Sequence, residues 1–71
     1  MLLLESNILT NREKEIFSLL VQNYETKEIA KTLKISTKTV RNHISNTIQK
    51  LGVKNRTAAL LELIKIGIIN I

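Results

Sequence analysis

The sequence predicts an all-α domain of four helices. Three observations support this prediction: the 71 residues include no proline and two glycines, 44% of the residues are hydrophobic, and apolar side chains recur at helical spacing along the whole chain. Residues 1–71 are expected to form one domain, with a core at about residues 8–69. The chain has no cysteine, so disulfides cannot support so small a core.

The first helix is expected to start at Thr10. Thr10 and Glu13 have the spacing of a capping box, in which each side chain bonds the backbone N–H of the other residue. Glu13 also projects toward the apolar side of this helix, so a second interpretation is an ion pair with a base such as Arg41. The apolar side consists of Ile16, Phe17, Leu20, Val21 and Tyr24.

Two further helices follow, separated by a short turn. The second is expected to follow its N-cap Thr26 and to end near Leu33, and the third is expected at about 37–51 with Ser36 as its N-cap. Ile35 and Val40 flank that cap as a hydrophobic staple, which fixes the angle at which the chain enters the helix. Two helices joined in this way form a helix-turn-helix motif.

A fourth helix is expected after Gly52. Glycine readily adopts the left-handed conformation that ends a helix, and Asn55 is a suitable N-cap for the next one. Gly67 follows its expected end near Ile66, and residues 68–71 are expected to trail off as an apolar tail.

This fourth helix is more apolar than a helix that faces one core needs to be. Its apolar residues span an arc of about 220°, whereas a core-facing helix needs roughly 100° or somewhat more. We therefore expect a second interface, formed in a two-fold homodimer by Ala59, Leu63 and Ile66. The alternative is that Met1–Leu4 folds back over the surplus apolar surface.

The basic residues are concentrated in the middle of the chain. The formal charge is +5, but residues 26–56 carry +7 through eight bases and one acid, which leaves −2 for the rest. Such a segment is either a solvated basic face or a surface for a polyanion. The chain has one phenylalanine, one tyrosine and no tryptophan, too few rings for the stacking surfaces of RNA or single-strand binders, so duplex DNA is favoured.

The polar side of the third helix is the expected DNA-binding face. The helix has no acid, and its exposed asparagine, serine and arginine side chains form directional hydrogen bonds with base edges. Helix-turn-helix proteins place the N-terminal half of this helix against bases in the major groove. Base contacts are therefore assigned to Arg41, Asn42 and Ser45.

Phosphate contacts are expected on both sides of that face, where they would orient the protein without selecting sequence. Lys27 and Lys50 would reach the flanking backbone, and Thr26 and Thr37 would offer N–H groups at helix starts. Lys38 and Asn46 join this set. His43, beside the apolar seam, is either a packing residue or a phosphate contact or pH sensor.

Several functional classes are not supported. With one histidine, no cysteine and no aspartate, neither a metal site nor a catalytic constellation can be assembled, so no enzyme activity is expected. Met1–Leu4 is too short for a secretory signal, and the apolar region after Ala58 is too short and too charged to span a membrane. We expect a cytoplasmic protein without a cofactor or small-molecule ligand.

Five stretches of the sequence resemble, in order and at the family spacing, the signatures of LuxR/GerE-type DNA-binding domains. The resemblance covers about residues 8–69. The stretches are Leu9-Thr10-Asn11-Arg12-Glu13, Lys27-Glu28-Ile29-Ala30, residues 35–44 (ISTKTVRNHI), Lys50-Leu51-Gly52-Val53 and Arg56-Thr57-Ala58-Ala59.

The resemblance implies a transcription regulator that binds duplex DNA and dimerises through its fourth helix. It implies base contacts at Arg41, Asn42 and Ser45 and phosphate contacts around Lys27, Thr39 and Lys50. Most members of the family carry this domain behind a receiver or ligand-binding domain, for which this chain has no room. It is therefore most similar to the free-standing GerE-type spore regulators, expected at the bacterial nucleoid with RNA polymerase as a further candidate partner.

Two alternatives stay open at this point. A sigma-factor region-four-like module shares the pattern T-x-x-E-I-A and T-V-R, although it would not need so apolar a fourth helix. A protein-interaction module could sequester another regulator through that helix. The absence of acids from the third helix argues against this second alternative.

Overall fold

The computed structural model describes residues 8–70, and the fold within that range is all-α, as predicted. Its four helices are α1 (Asn11–Val21), α2 (Thr26–Leu33), α3 (Thr37–Leu51) and α4 (Arg56–Lys65). α3 packs against each of the other three helices, so it lies at the centre of the domain.

The start of α1 is fixed by the predicted capping box. The backbone N–H of Glu13 donates to Thr10 Oγ1 over 3.1 Å, and the backbone N–H of Thr10 donates to Glu13 Oε1 over 2.9 Å. Both N–H groups would otherwise lack a partner at the helix end, so the first turn is held from both sides.

α2 begins at Thr26, one residue earlier than expected, because Thr26 is its first helical residue and not its N-cap. Glu25 holds that position with an extended backbone, its carbonyl accepts the first helical bond from the Ile29 N–H at 2.9 Å, and its own N–H donates to Glu28 Oε1 at 2.7 Å. The prediction placed the cap one residue late because threonine is the more usual cap.

The short turn between α2 and α3 begins with a left-handed residue that ends α2. Lys34 adopts the left-handed conformation, with φ 60° and ψ 45°, and the N–H of Ile35 donates to the Ala30 carbonyl over 3.0 Å. This bond closes a Schellman-type helix end at a residue other than glycine. Ser36 then caps α3, accepting from the Thr39 N–H at 3.0 Å.

The boundaries of α4 agree with the prediction. Gly52 ends α3 in the left-handed conformation with φ 68°, and Asn55 Oδ1 accepts from the Ala58 N–H over 2.8 Å. Gly67, with φ 84°, reverses the chain after α4.

The residues after α4 do not trail off. The N–H of Ile68 and the N–H of Ile69 both donate to the Leu63 carbonyl, over 2.9 Å and 3.2 Å, and Ile69 is 3% exposed. The tail therefore closes one side of the core. The other fully buried large side chains come from all four helices: Ile16, Phe17, Ile29, Val40, Thr47 and Leu63.

Two of the three residues assigned to the dimer interface belong to this core, and for them the prediction is wrong. Ala59 and Leu63 are 0% exposed within a single chain, so they have no surface to offer a partner. Ile66, at 39% exposed, remains available. The apolar arc of α4 was wide enough to fit either orientation of the helix. The alternative cover by Met1–Leu4 lies outside the described residues.

Candidate nucleic-acid interface

The burial pattern of α3 divides the helix into two sides. Val40, Ile44 and Thr47 are buried against the rest of the domain, and the Thr47 hydroxyl donates to the His43 carbonyl over 3.0 Å. His43 itself is partly buried beside this seam. The exposed side is polar and consists of Lys38, Arg41, Asn42, Ser45, Asn46, Gln49 and Lys50.

The three residues predicted to contact bases lie together on the exposed side. Arg41, Asn42 and Ser45 are all exposed, and within residues 8–70 none of them forms an ion pair or a side-chain hydrogen bond. Their donors and acceptors are therefore satisfied by solvent. Groups of this kind can exchange water for a base edge without breaking an internal contact.

An open depression of about 360 Å³ lies beside these residues. Its apolar floor is formed by Ile44 and Ile48 of α3, and polar side chains stand around it. The polar residues at the rim are Thr26, Arg41, Ser45 and Arg56, which come from α2, α3 and α4.

Arg56 is a residue of this surface to which sequence reasoning assigned no contact. Its guanidinium Nη1 lies 3.4 Å from the hydroxyl of Thr26, which is 30 positions away in the sequence. Arg56 was counted among the bases of the 26–56 segment, which was the available signal. Nothing local indicated that the start of α4 would lie beside the start of α2.

The residues predicted to contact phosphates are not equivalent in the structure. Lys27 and Lys38 are exposed, and neither is ion-paired among residues 8–70. Thr37 and Thr39 are partly buried, and the Thr39 hydroxyl lies 2.9 Å from the Ser36 hydroxyl, as part of the cap of α3.

Lys50 differs most from the expected free lysine. Its ammonium donates to Glu13 Oε1 over 2.7 Å, and the side chain is 36% exposed while that of Glu13 is 3% exposed. Glu13 thus has both of the predicted roles, since it completes the capping box and also pairs with a base. That base is Lys50, so the suggested partner Arg41 was wrong.

The surroundings of Glu13 favour its charged form. Burial by itself would raise the pKa of this carboxyl group, but the hydrogen bonds from Lys50 and from the Thr10 backbone, with the nearby charges of Lys50 and His43, lower the pKa below its ordinary value of 4.5. The buried carboxylate therefore stays ionised at neutral pH and holds the C-terminal half of α3 against α1.

Two large apolar side chains are exposed at α4 and at the C-cap residue that follows it. Leu61 is 62% exposed and Ile66 is 39% exposed, and Leu60 and Ile64 beside them are partly buried. Exposed aliphatic side chains of this size are candidates for an interaction surface. Within residues 8–70, α4 included, no helix combines the length and the hydropathy needed to cross a membrane.

Comparison with known proteins gives one consistent result. Residues 7–63 match the family of bacterial regulatory proteins described as the luxR family. The chain is 63% identical over 60 residues to the spore germination protein GerE of Bacillus subtilis, an alignment that covers 84% of this chain and 81% of that protein. A solved structure of the transcription factor GerE superposes with a TM-score of 0.87 at 63% identity, covering 89% of this chain and 94% of that one.

Longer regulators match over a smaller share of their length. The transcriptional regulatory protein DegU of Brevibacillus brevis is 48% identical over 61 residues, which are 86% of this chain and 26% of that protein. DesR of Bacillus subtilis, also a transcriptional regulatory protein, is 52% identical over 56 residues, or 79% of this chain and 28% of that protein.

Proposed function

The chain belongs to the luxR family of bacterial regulatory proteins, and we propose that this DNA-binding helix-turn-helix transcription regulator binds a two-part DNA site as a homodimer. In this proposal α3 lies in the major groove of each half-site. The family assignment confirms the resemblance to LuxR/GerE-type domains and sets aside the sigma-factor alternative.

One observation carries the proposal for α3. The central helix of the domain shows its entire polar side to solvent, with no acid on it and with Arg41, Asn42 and Ser45 free of internal partners within the described range. A helix of 15 residues is about 22 Å long at 1.5 Å per residue. Its width suits a major groove of about 12 Å.

The individual DNA contacts are proposed from the hydrogen-bonding groups and the charge of each side chain. Arg41 and Asn42 can form bidentate pairs with guanine and adenine, and Ser45 can bond a base directly or through water. Lys27 and Lys38 are proposed to bind flanking phosphates. Smaller contributions are proposed from Thr26, Thr37, Thr39, Asn46 and Lys50.

The homodimer is proposed to form through the exposed apolar side chains of α4 and of its C-cap residue. Leu61 and Ile66 would contact the same residues of a second copy across a two-fold axis. Ala59 and Leu63 are no longer part of this interface. Two domains related in this way would present two copies of α3 to half-sites about one turn of DNA apart.

The cellular setting is proposed from the relatives. GerE of Bacillus subtilis is named a spore germination protein, and we infer that this chain regulates genes of spore formation or germination. It would act at the nucleoid in the bacterial cytoplasm, without a cofactor, and RNA polymerase is a candidate partner. No catalytic role is proposed.

Selection of bound sites from a pool of random duplexes tests the function directly. We expect the full chain to enrich a two-fold symmetric site, and an Arg41→Ala, Asn42→Ala double variant to enrich none. Recovery of unselected sequence by the wild type would refute sequence-specific binding. Failure to bind any duplex would favour the alternative of a module that sequesters another regulator.

A further inference from the structure

We propose that Arg56, the first residue of α4, binds a backbone phosphate of the DNA together with Thr26 of α2. This inference rests on the proposed DNA-binding mode and adds a contact that joins α4 to the DNA. It also makes Arg56, and not Lys50, a main cation of the phosphate contacts.

The first support is the position of the two side chains. Arg56 Nη1 lies 3.4 Å from Thr26 Oγ1, at the upper limit of a hydrogen bond, and Arg56 is exposed. A guanidinium carries five N–H donors in a planar fork, so most of its donors remain available. The Thr26 hydroxyl can in turn donate to an incoming oxygen.

The second support is the charge around the depression. Arg41 and Arg56 stand at its rim, and neither is ion-paired within the part of the chain that the structure describes. The two positive charges beside one apolar floor repel each other, and an anion bound near them would offset this repulsion. A phosphate suits this position because its oxygens match the fork of a guanidinium.

The third support is a contrast with Lys50. The ammonium of Lys50 already donates to the buried carboxylate of Glu13 at 2.7 Å, so its charge is largely compensated before any DNA arrives. Arg56 has no such counter-charge among residues 8–70. Neutralising a DNA phosphate with Arg56 therefore releases more counterions from the DNA than neutralising it with Lys50 would.

The source of the phosphate group is taken to be the DNA backbone. The polar rim combines residues from α2, α3 and α4, and Arg41 in this rim is one of the proposed base contacts. A phosphate bound here would lie next to the contacted bases. Free inorganic phosphate shares the same chemistry, and the effect of Arg56→Gln on phosphate binding and on DNA binding separates the two sources.

The test compares two arginine substitutions in the full chain. Arg56→Gln removes a charge from the proposed site, and Arg12→Gln is the matched control, since Arg12 lies near the start of α1 and pairs with Glu15 at 3.2 Å. Dissociation constants are measured by fluorescence anisotropy on the selected site and on a scrambled duplex, over a range of salt concentrations. Circular dichroism establishes that both variants are folded.

We expect Arg56→Gln to lower the slope of log K against log salt by about 0.9 and to weaken both duplexes by a similar factor, on the order of tenfold. Arg12→Gln should keep the wild-type slope. Arg56→Lys should restore most of the slope but less of the affinity, because it keeps the charge and loses the fork. Thr26→Val should weaken both duplexes without changing the slope.

Three outcomes would overturn the inference. If Arg56→Gln and Arg12→Gln have the same slope while the wild type binds DNA, Arg56 binds no phosphate and the proposed function stands. If the wild type shows no salt-dependent duplex binding, the proposed function fails as well. If inorganic phosphate binds the wild type and not Arg56→Gln, while both proteins bind the duplexes with equal affinity, the site binds a free anion and not the DNA backbone.

Discussion

Lys50 and Glu13, 37 residues apart in the sequence, join α3 to α1 through a hydrogen-bonded ion pair of 2.7 Å. The carboxylate is buried and also completes the cap of α1, while the ammonium remains partly exposed. One side chain thus fixes both the start of α1 and the C-terminal half of the proposed recognition helix.

Removing either partner of this pair should destabilise the domain, and removing Lys50 should cost more than replacing Glu13. Lys50→Met leaves a buried carboxylate without its counter-charge and should cost about 2–4 kcal/mol, below the range for fully buried pairs because Lys50 is partly exposed. Glu13→Gln keeps an oxygen for the Thr10 N–H and removes the buried charge, so about 1–2 kcal/mol is expected. Urea unfolding followed by circular dichroism measures both values.

The exposed pair Arg12–Glu15 is the control for that comparison. Arg12→Gln should change the free energy of unfolding by less than about 0.5 kcal/mol, since surface pairs contribute little. A cost for Lys50→Met no larger than that of Arg12→Gln would contradict the structural role of the buried pair.

The Glu13 carboxylate should make the free energy of unfolding depend on pH in the acidic range. Because the folded-state pKa of Glu13 lies below its ordinary value of 4.5, its contribution is complete above that pH and is lost as the pH falls through the folded-state pKa. The difference in unfolding free energy between the wild type and Glu13→Gln should therefore shrink below about pH 4.5. Glu15→Gln, at an exposed position, serves as control, and a constant Glu13→Gln difference across this range would refute the assignment.

Lys34→Gly should stabilise the domain. Lys34 has a φ of 60°, a conformation that costs a residue with a Cβ about 1 kcal/mol and costs glycine almost nothing. An increase of about 0.5–1 kcal/mol in the free energy of unfolding is expected. Lys31→Gly, inside α2, removes the same charge and should instead destabilise by about 1 kcal/mol, so equal effects of the two variants would contradict this reasoning.

Substitutions in α4 should separate folding from assembly. Leu63→Ala removes a fully buried side chain and should cost about 2–5 kcal/mol. Leu61→Asp changes a side chain that is 62% exposed, so the helicity should persist while self-association weakens. Circular dichroism and sedimentation velocity measure the two effects, and a Leu61→Asp variant that associates like the wild type would exclude this side of α4 as the dimer interface.

Substitutions on α3 should distinguish base contacts from phosphate contacts. Asn42→Ala should cost about 1–3 kcal/mol on the selected site and relax the preference at one or two base pairs. Lys27→Ala should weaken the selected and scrambled duplexes equally and lower the salt slope by about one. If Asn42→Ala also weakens both duplexes equally, the base-contacting face has been assigned to the wrong residues.

The features that the sequence predicted correctly depend on neighbours in the chain. The capping box joins Thr10 to Glu13, three positions apart, and the end of α3 depends on the single residue Gly52, so both follow from local chemistry. The exposed side of α3 was also predictable, because its apolar seam is narrow and leaves one possible orientation.

The features that were missed depend on how the helices pack. The arc of apolar residues on α4 is so wide that periodicity could not decide whether Leu63 or Leu61 faces the core. The pairing of Glu13 with Lys50 and the approach of Arg56 to Thr26 join residues 37 and 30 positions apart, which no local pattern indicates.

The burial of Ile69 has a consequence for the synthesis of the protein. Because this side chain closes the core from beyond the last helix, a nascent chain that has emerged only as far as α4 still lacks part of its packing. All residues proposed to contact DNA precede that point, so they leave the ribosome before the domain that orients them is complete. Stable folding, and with it DNA binding, is therefore expected to wait until residue 69 has emerged from the ribosome.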